Sequence, residues 1–218
     1  LRNSGRERAG ARRESSGRRR DASYEWQAPL MWYPSTLATP SPEPITASQC
    51  KLQLQIDDTD STWDSLLAIY IAAARELVES WTGTRIASRA SVTLRCDSFD
   101  DLARVAEGPL SSVSSIGYLD VDGATQTLAT SVYEARADGL ETAIVLKSNQ
   151  SWPATQTGSR ITVIATIGFA SVPPMALAAM MLLIGQWFAN REATSVGNIV
   201  NEMPLGFSDL LVNLRRNA

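Results

Sequence analysis

Apolar residues recur at intervals of three and four through the stretch STWDSLLAIYIAAARELVESWTG. This interval is the period of one helix face, so the stretch predicts a helix of roughly 20 residues. Gly83 stands where a left-handed residue commonly ends a helix. Upstream, Thr46 and Gln49 have the spacing of a capping box, which predicts a second, shorter helix. The two patterns together predict a helical segment over residues 45–83.

The period then shortens to two. Between residues 84 and 170, the segments SVTLRC, SSIGYLDVDGATQTL, TAIVLKS and RITVIATIGF alternate or are rich in β-branched side chains. This composition is typical of strands, and it predicts an antiparallel β insert. Asp122 and Gly123 lie between two strand-like runs and predict a hairpin turn. Asp120 is close to Asp122, but carboxylates beside a turn glycine indicate turn residues rather than a catalytic pair.

A further helical pattern covers residues 171–192, where Pro173-Pro174 stops the last strand and presets the first helical turn. From Met175 to Phe188 only Gly185 and Gln186 interrupt the apolar side chains. A bilayer span needs about 20 apolar residues, so the segment is too short to cross a membrane. We therefore predict a long apolar helix and no membrane partner.

A helix on the surface of a small domain normally keeps one polar face, and this one has almost none. Neighbouring copies of the chain would cover the excess apolar surface, or the helix is simply the centre of a monomeric core. The first interpretation gives four candidate subunit-interface residues: Leu182, Leu183, Trp187 and Phe188.

The remaining residues, 193–218, predict a loop and a short C-terminal helix in SDLLVNLRR. The segment combines an apolar stripe with two arginines, a composition suited to docking in a partner's groove or to packing on its own domain. The order of elements predicts an α+β fold. Two N-terminal helices, a long apolar helix and a short C-terminal helix would form a helical bundle, with a central antiparallel β insert.

Charge is distributed unevenly along the 218 residues, which carry a formal net charge of −3. Residues 1–30 contain eight arginines and four acidic residues, whereas the rest contains 12 basic and 19 acidic residues. An acidic body is poorly suited to tight phosphate binding. Residues 1–44 are basic and then proline-rich, which predicts a disordered arm. The arm is either a tether for nucleic acid or a partner, or, over residues 1–30, not part of the natural product.

Several classes of chemistry are excluded by composition. The chain has no histidine, which removes Ser-His-Asp and Cys-His nucleophiles and histidine-bound zinc. Cys50 and Cys96 could pair, but their isolation favours two reduced, partly buried thiols. The acids Asp57, Asp58 and Asp60 lack the alternating spacing and the closing glutamate of a calcium loop. We predict no enzyme activity, no metal and no cofactor.

The residues from about 45 to 215 resemble the head–tail connector (adaptor) proteins of long-tailed double-stranded DNA phages and prophages. The stretch ITASQCKLQLQIDDTDSTWDSLLAIYIAAARELVESWTG resembles the family's opening helix pair. PLSSVSSIGYLDVDG resembles its strand and hairpin, and Trp152-Pro153 with RITVIATIGF follows in order. WFANREA and MPLGFSDLLVNLRR resemble the end of its third helix and its C-terminal segment. Residues 1–30 have no counterpart, which favours Met31 as the natural start.

The resemblance implies a structural role in the virion neck, for a phage, a prophage or a gene transfer agent. Members of the family form a ring, usually of twelve subunits, beneath the portal, and are made in the host cytoplasm. The ring extends the DNA ejection channel, which genomic DNA crosses without specific binding, and it contacts a stopper or tail-completion protein below. Residues 45–218 would form this connector domain.

The same resemblance gives two further sets of candidate residues. The C-terminal segment commonly engages the portal, and acidic side chains in a lumen would repel passing phosphate. The acids are otherwise ordinary solvated residues, and the alternative function is a small DNA-associating protein acting through its basic arm. The candidate portal-binding residues are Leu210, Leu211, Leu214, Arg215 and Arg216, and the candidate lumen acids are Asp57, Asp58, Glu76 and Glu79.

Overall fold

Helix boundaries in the computed structural model follow local signals in the sequence. The described residues are Trp32, Tyr33, Leu37, Pro40 and the ranges 42–190 and 206–216. They form four α-helices: α1 Ala47–Leu54, α2 Asp64–Thr82, α3 Pro174–Ala189 and α4 Phe207–Leu211.

The start of α1 confirms the predicted capping box. The Thr46 hydroxyl accepts the N–H of Gln49, and the Gln49 side chain accepts the N–H of Thr46. Helix α2 ends at Gly83, which has a φ of 65° and donates its N–H to the carbonyl of Glu79. Helix α3 begins at Pro174, within the Pro173-Pro174 pair that was predicted to preset its first turn.

The sheet is antiparallel and lies between α2 and α3 in the chain. Four strands pair in the order β1-β6-β2-β3, and β4 and β5 form a separate two-stranded sheet. This confirms a mixed α+β fold. The strands are β1 Arg89–Cys96, β2 Leu110–Leu119, β3 Thr125–Thr127, β4 Tyr133–Asp138, β5 Glu141–Leu146 and β6 Ile161–Ile167.

The turn between β2 and β3 is organised by Asp120. Its carboxylate accepts the N–H groups of Asp122 and Ala124 and the side-chain amide of Gln126, and these bonds lower its pKa. Gly123 has the positive φ, 81°, that the turn requires. The turn assignment is therefore confirmed, although the connection is longer than a two-residue hairpin.

The described residues form two apolar cores. One is formed by the sheet, and it includes Leu94, Ile116 and Val163. The other is formed by the four helices. Cys50 lies in the helical core and Cys96 in the sheet core, and both are free. Burial raises the pKa of Cys50 to about 11 and that of Cys96 to about 12, so both thiols are protonated and unreactive at neutral pH.

Part of the segment predicted to be disordered is attached to the sheet. Trp32 bridges Cys96 at the edge of β1, and its indole N–H donates to the carbonyl of Arg104 at 2.9 Å. The Tyr33 hydroxyl donates to Asp97 at 2.8 Å. The prediction of disorder up to residue 44 is wrong for this pair, because an unpaired strand edge supplies partners that lie far away in the sequence.

The long helix is shorter than predicted. Helix α3 has 16 residues and ends at Ala189, so residues 191–192 of the predicted span lie outside the described residues. The predicted arm over 1–30 and most of the loop after residue 193 also lie outside them. Of the helices that the structure describes, none has the length and apolar character needed to cross a membrane.

Candidate assembly surfaces

The chain's own α2 covers much of the apolar surface of α3. Leu183 is 1% exposed and belongs to the helical core. The ring of Trp187 lies 5.8 Å from that of Tyr70, and Phe188 meets Trp63 edge-on at 5.3 Å. Leu183 is therefore unavailable to a neighbouring copy, which corrects its assignment as an interface residue. Trp187 and Phe188 are half-buried and keep only part of their surface free.

An exposed apolar stripe nevertheless remains on α3. Met175, Ala178 and Leu182 are exposed, and their spacing of three and four places them on one face of the helix. Leu182 is 39% exposed. Gly185 follows at the next position of this face, and a Cβ added there would meet no atom within 4 Å. We call Met175, Ala178 and Leu182 the α3 stripe.

Glu79 occupies the centre of a buried ionic cluster. Its carboxylate accepts a hydrogen bond from each terminal nitrogen of Arg89 at 2.9 Å and one from the backbone N–H of Ile86 at 3.1 Å. Arg75 and Arg85 contact the same carboxylate at 3.5 and 3.4 Å. Glu79 is 3% exposed and cannot face a channel, so its assignment as a lumen acid is wrong.

Two further carboxylates surround this cluster. Glu43 accepts the Arg75 Nε–H at 2.9 Å, and Glu107 accepts two bonds from Arg85, at 2.6 and 2.9 Å. Three arginines are thus matched by three glutamates at the junction between α2 and β1, and the exposed Glu76 also pairs with Arg75. Charges removed from water need such pairing, because a buried unpaired ion is strongly destabilising.

The other three candidate lumen acids are exposed. Glu76 is next to Arg75 at 3.4 Å, and Asp57 and Asp58 lie in the loop between α1 and α2. Bonds from the hydroxyl and N–H of Thr59 lower the pKa of Asp57. All three side chains are open to solvent.

The C-terminal segment is docked on the chain itself. Leu211 is fully buried in the helical core. The Arg216 guanidinium donates to the carbonyls of Val105 and Ala106 at 2.8 and 2.9 Å, and pairs with Glu141 at 3.0 Å. Leu211 and Arg216 are therefore internal residues rather than portal contacts. The side chains of Leu210 and Leu214 are half-buried, and that of Arg215 is exposed.

More basic than acidic side chains are buried in the described part of the chain. Among the described residues, the buried side chains of the charged types are Lys51, Arg75, Arg89 and Arg216 on the basic side, and Glu79 on the acidic side. The surface of the described part consequently has a larger excess of acidic over basic side chains than the described residues have as a whole. The sequence contained one readable signal of this arrangement, because Arg75 and Glu79 are four residues apart on the apolar side of α2.

Comparison with known proteins identifies the fold. No protein-family model and no curated protein matches the chain. A chain in the neck of an empty gene transfer agent particle, computed with C6 symmetry, has 20% identity and a TM-score of 0.64 over 86% of this chain and 96% of that one. A chain in the virion of a native gene transfer agent particle has 18% identity, a TM-score of 0.62 and the same coverage. A chain in the neck of a native particle, computed with C12 symmetry, has 20% identity and a TM-score of 0.58 over 85% of this chain and 97% of that one. These chains and the present one share a fold over most of their lengths.

Proposed function

We propose that this chain is a structural protein of the neck of a phage-type particle. Twelve copies form a ring beneath the portal, extend the DNA channel and join the portal to a stopper or tail-completion protein. The observation that carries the proposal is the fold shared with chains from gene transfer agent necks over 86% of the sequence. Residues 45–218 would supply the helical bundle and β insert of the connector domain.

The α3 stripe supports self-association. Met175 and Leu182 are large apolar side chains left in solvent on a helix without a charged residue. Ile69 on α2 is also exposed. Met175 and Leu182 are 44% and 39% exposed, so covering the remaining surface of each contributes roughly 1 kcal/mol before the costs of association. In a closed ring each copy makes this contact twice, once with each neighbour.

The acidic surface supports a DNA conduit. Phosphates are held mainly by lysine and arginine, and in the described part of the chain Arg75, Arg85 and Arg89 are paired with glutamates. Asp57 and Glu76, which are both exposed, are the acids that we assign to the lumen. Leu210 and Leu214, which are half-buried, are the residues that we assign to the portal contact.

The proposal is tested by the mass and shape of the purified full chain, alone and mixed with its portal protein. We expect an annulus of twelve copies by electron microscopy, seated on the portal ring. A chain that stays monomeric under both conditions would overturn the proposal.

A matched pair of variants tests the contact surface. Leu182→Asp places a charge in the α3 stripe and should abolish the ring. Val121→Asp makes the same change at an exposed valine in the β2–β3 turn and should leave the ring intact. If the two variants assemble equally well, the α3 stripe is not part of the interface.

A further inference from the structure

A second exposed patch lies at the C-terminal end of α2. Trp81 is 38% exposed, and the Arg215 guanidinium lies 6.0 Å from the centre of its ring. Val212 is 62% exposed, and its carbonyl accepts the N–H of Arg215 in a 3-10 turn. Side chains three residues apart eclipse one another in such a turn, so Val212 lies beside Arg215. We call Trp81, Val212 and Arg215 the end patch.

The end patch has the chemistry of a protein contact. Tryptophan and arginine are the residue types most enriched among those that dominate interface energies. Among the described residues, no carboxylate lies within ion-pair distance of the exposed Arg215. A partner that brings a carboxylate and covers Trp81 and Val212 would therefore complement it.

A matching acidic feature lies at the opposite end of the same helix. The α1–α2 loop carries Asp57, Asp58 and Asp60, and we call it the acidic loop. Lys51 fixes this loop by donating to the carbonyl of Asp58 at 3.1 Å and pairing with Asp64 at 2.7 Å.

Two of its carboxylates are used within the loop. Asp57 accepts the N–H of Thr59, and Asp60 accepts the N–H of Thr62. The exposed carboxylate of Asp58 accepts no hydrogen bond from the described residues, which leaves it available to a partner.

The two features cannot meet within one chain. Asp64 and Trp81 are separated by 17 helical residues, or about 26 Å at 1.5 Å per residue. A head-to-tail ring, however, places one side of each copy against the opposite side of the next. We infer that the end patch of one copy binds the acidic loop of its neighbour, with Arg215 paired to Asp58. This inference rests on the proposed ring and specifies how its subunits join.

Charge reversal tests the pairing by sedimentation of the full chain over a range of concentrations. Arg215→Asp and Asp58→Arg should each raise the concentration needed for ring formation by about tenfold or more, since close interfacial charge pairs are strongly coupled. The double variant should recover most of the loss. Arg95→Asp and Asp122→Arg, which reverse exposed charges elsewhere, should assemble like the parent chain.

Cross-linking provides an independent measurement. A chain carrying both Asp58→Cys and Val212→Cys should give a ladder of covalent multimers on oxidation, because a disulfide requires Cα atoms within about 7 Å. Each single variant should give no ladder, and the buried native cysteines should not contribute. Rings that tolerate both reversals, or single defects without mutual rescue, would overturn the pairing alone. A parent chain that forms no ring would overturn the proposed function as well.

Discussion

The two ends of α2 are held in place by different forces. Near its start, Trp63 and Tyr70 pack against aromatic rings of α3. Near its end, Glu79 is surrounded by arginines, and the carbonyl of Thr82 accepts the N–H of Arg216 at 2.7 Å. Apolar contacts weaken gradually when atoms are removed, whereas a buried ion depends on its full set of partners. The start of α2 should therefore tolerate substitution better than its end.

The largest effect is expected from Glu79→Gln. The substitution keeps the shape of the side chain but removes the buried carboxylate that all three arginines contact, so we expect a loss of about 3–5 kcal/mol in the free energy of unfolding. Urea denaturation measures it. Glu76→Gln, three residues earlier on the exposed side of α2, should change stability by less than about 0.5 kcal/mol. Similar losses at the two positions would contradict the special role of the junction.

Leu183→Ala tests the apolar packing between α2 and α3. Truncating this buried leucine leaves a cavity between α2 and α3, and we expect a loss of about 3 kcal/mol. Leu182→Ala removes the same atoms from the exposed neighbour and should cost less than about 1 kcal/mol in the monomer. Denaturation of both variants at a concentration below ring formation would separate the contributions. Equal losses would mean that Leu182 is covered within the chain.

Arg216→Ala should cost about 2 kcal/mol, because it removes a charged donor from two carbonyls and from Glu141. Arg215→Ala is the matched control, since its side chain is exposed. Its removal should cost about 0.5 kcal/mol or less. Comparable losses for the two arginines would show that the segment is not held by Arg216.

A second measurement compares the free energy of unfolding of the parent chain and of Arg216→Ala at acidic pH. Burial raises the pKa of Glu141, but the hydrogen bonds and charges of Arg216 and Arg104 outweigh it and lower the pKa below the ordinary 4.5. A carboxyl with a lowered folded-state pKa contributes stability above its unfolded value and loses it as the pH falls through the folded value. The parent chain should therefore lose more stability below pH 4.5 than Arg216→Ala does.

The sequence predicted those parts of the fold that depend on neighbouring residues. The Thr46–Gln49 capping box, the end of α2 at Gly83 and the start of α3 at Pro174 are all local signals. The docking of Trp32 on β1 could not be predicted in this way. Its partners, Cys96 and the Arg104 carbonyl, are more than 60 residues away in the chain.

The candidate residues show the same division. Helical periodicity marked both Leu182 and Leu183 as apolar, but only the position of α2 decides which of them is buried. The burial of Glu79 likewise depends on Arg85 and Arg89, which lie beyond the end of its helix. Exposure, which decides whether a residue can serve an interface, is set by contacts that sequence periodicity does not contain.

The smallest effect is expected from Gly185→Ala, and its sign differs between monomer and ring. Alanine favours a helix by about 0.5–1 kcal/mol over glycine, and a Cβ at this position has free space, so the monomer should become more stable. In a ring that packs the α3 stripe against a neighbour, the added methyl would be forced into a filled contact, where overpacking costs about 1–3 kcal/mol. Thermal denaturation of the monomer and sedimentation of the ring measure the two effects separately. A variant that is more stable and also assembles like the parent would show that the neighbour does not reach Gly185. The interface would then be restricted to the N-terminal part of α3, around Met175.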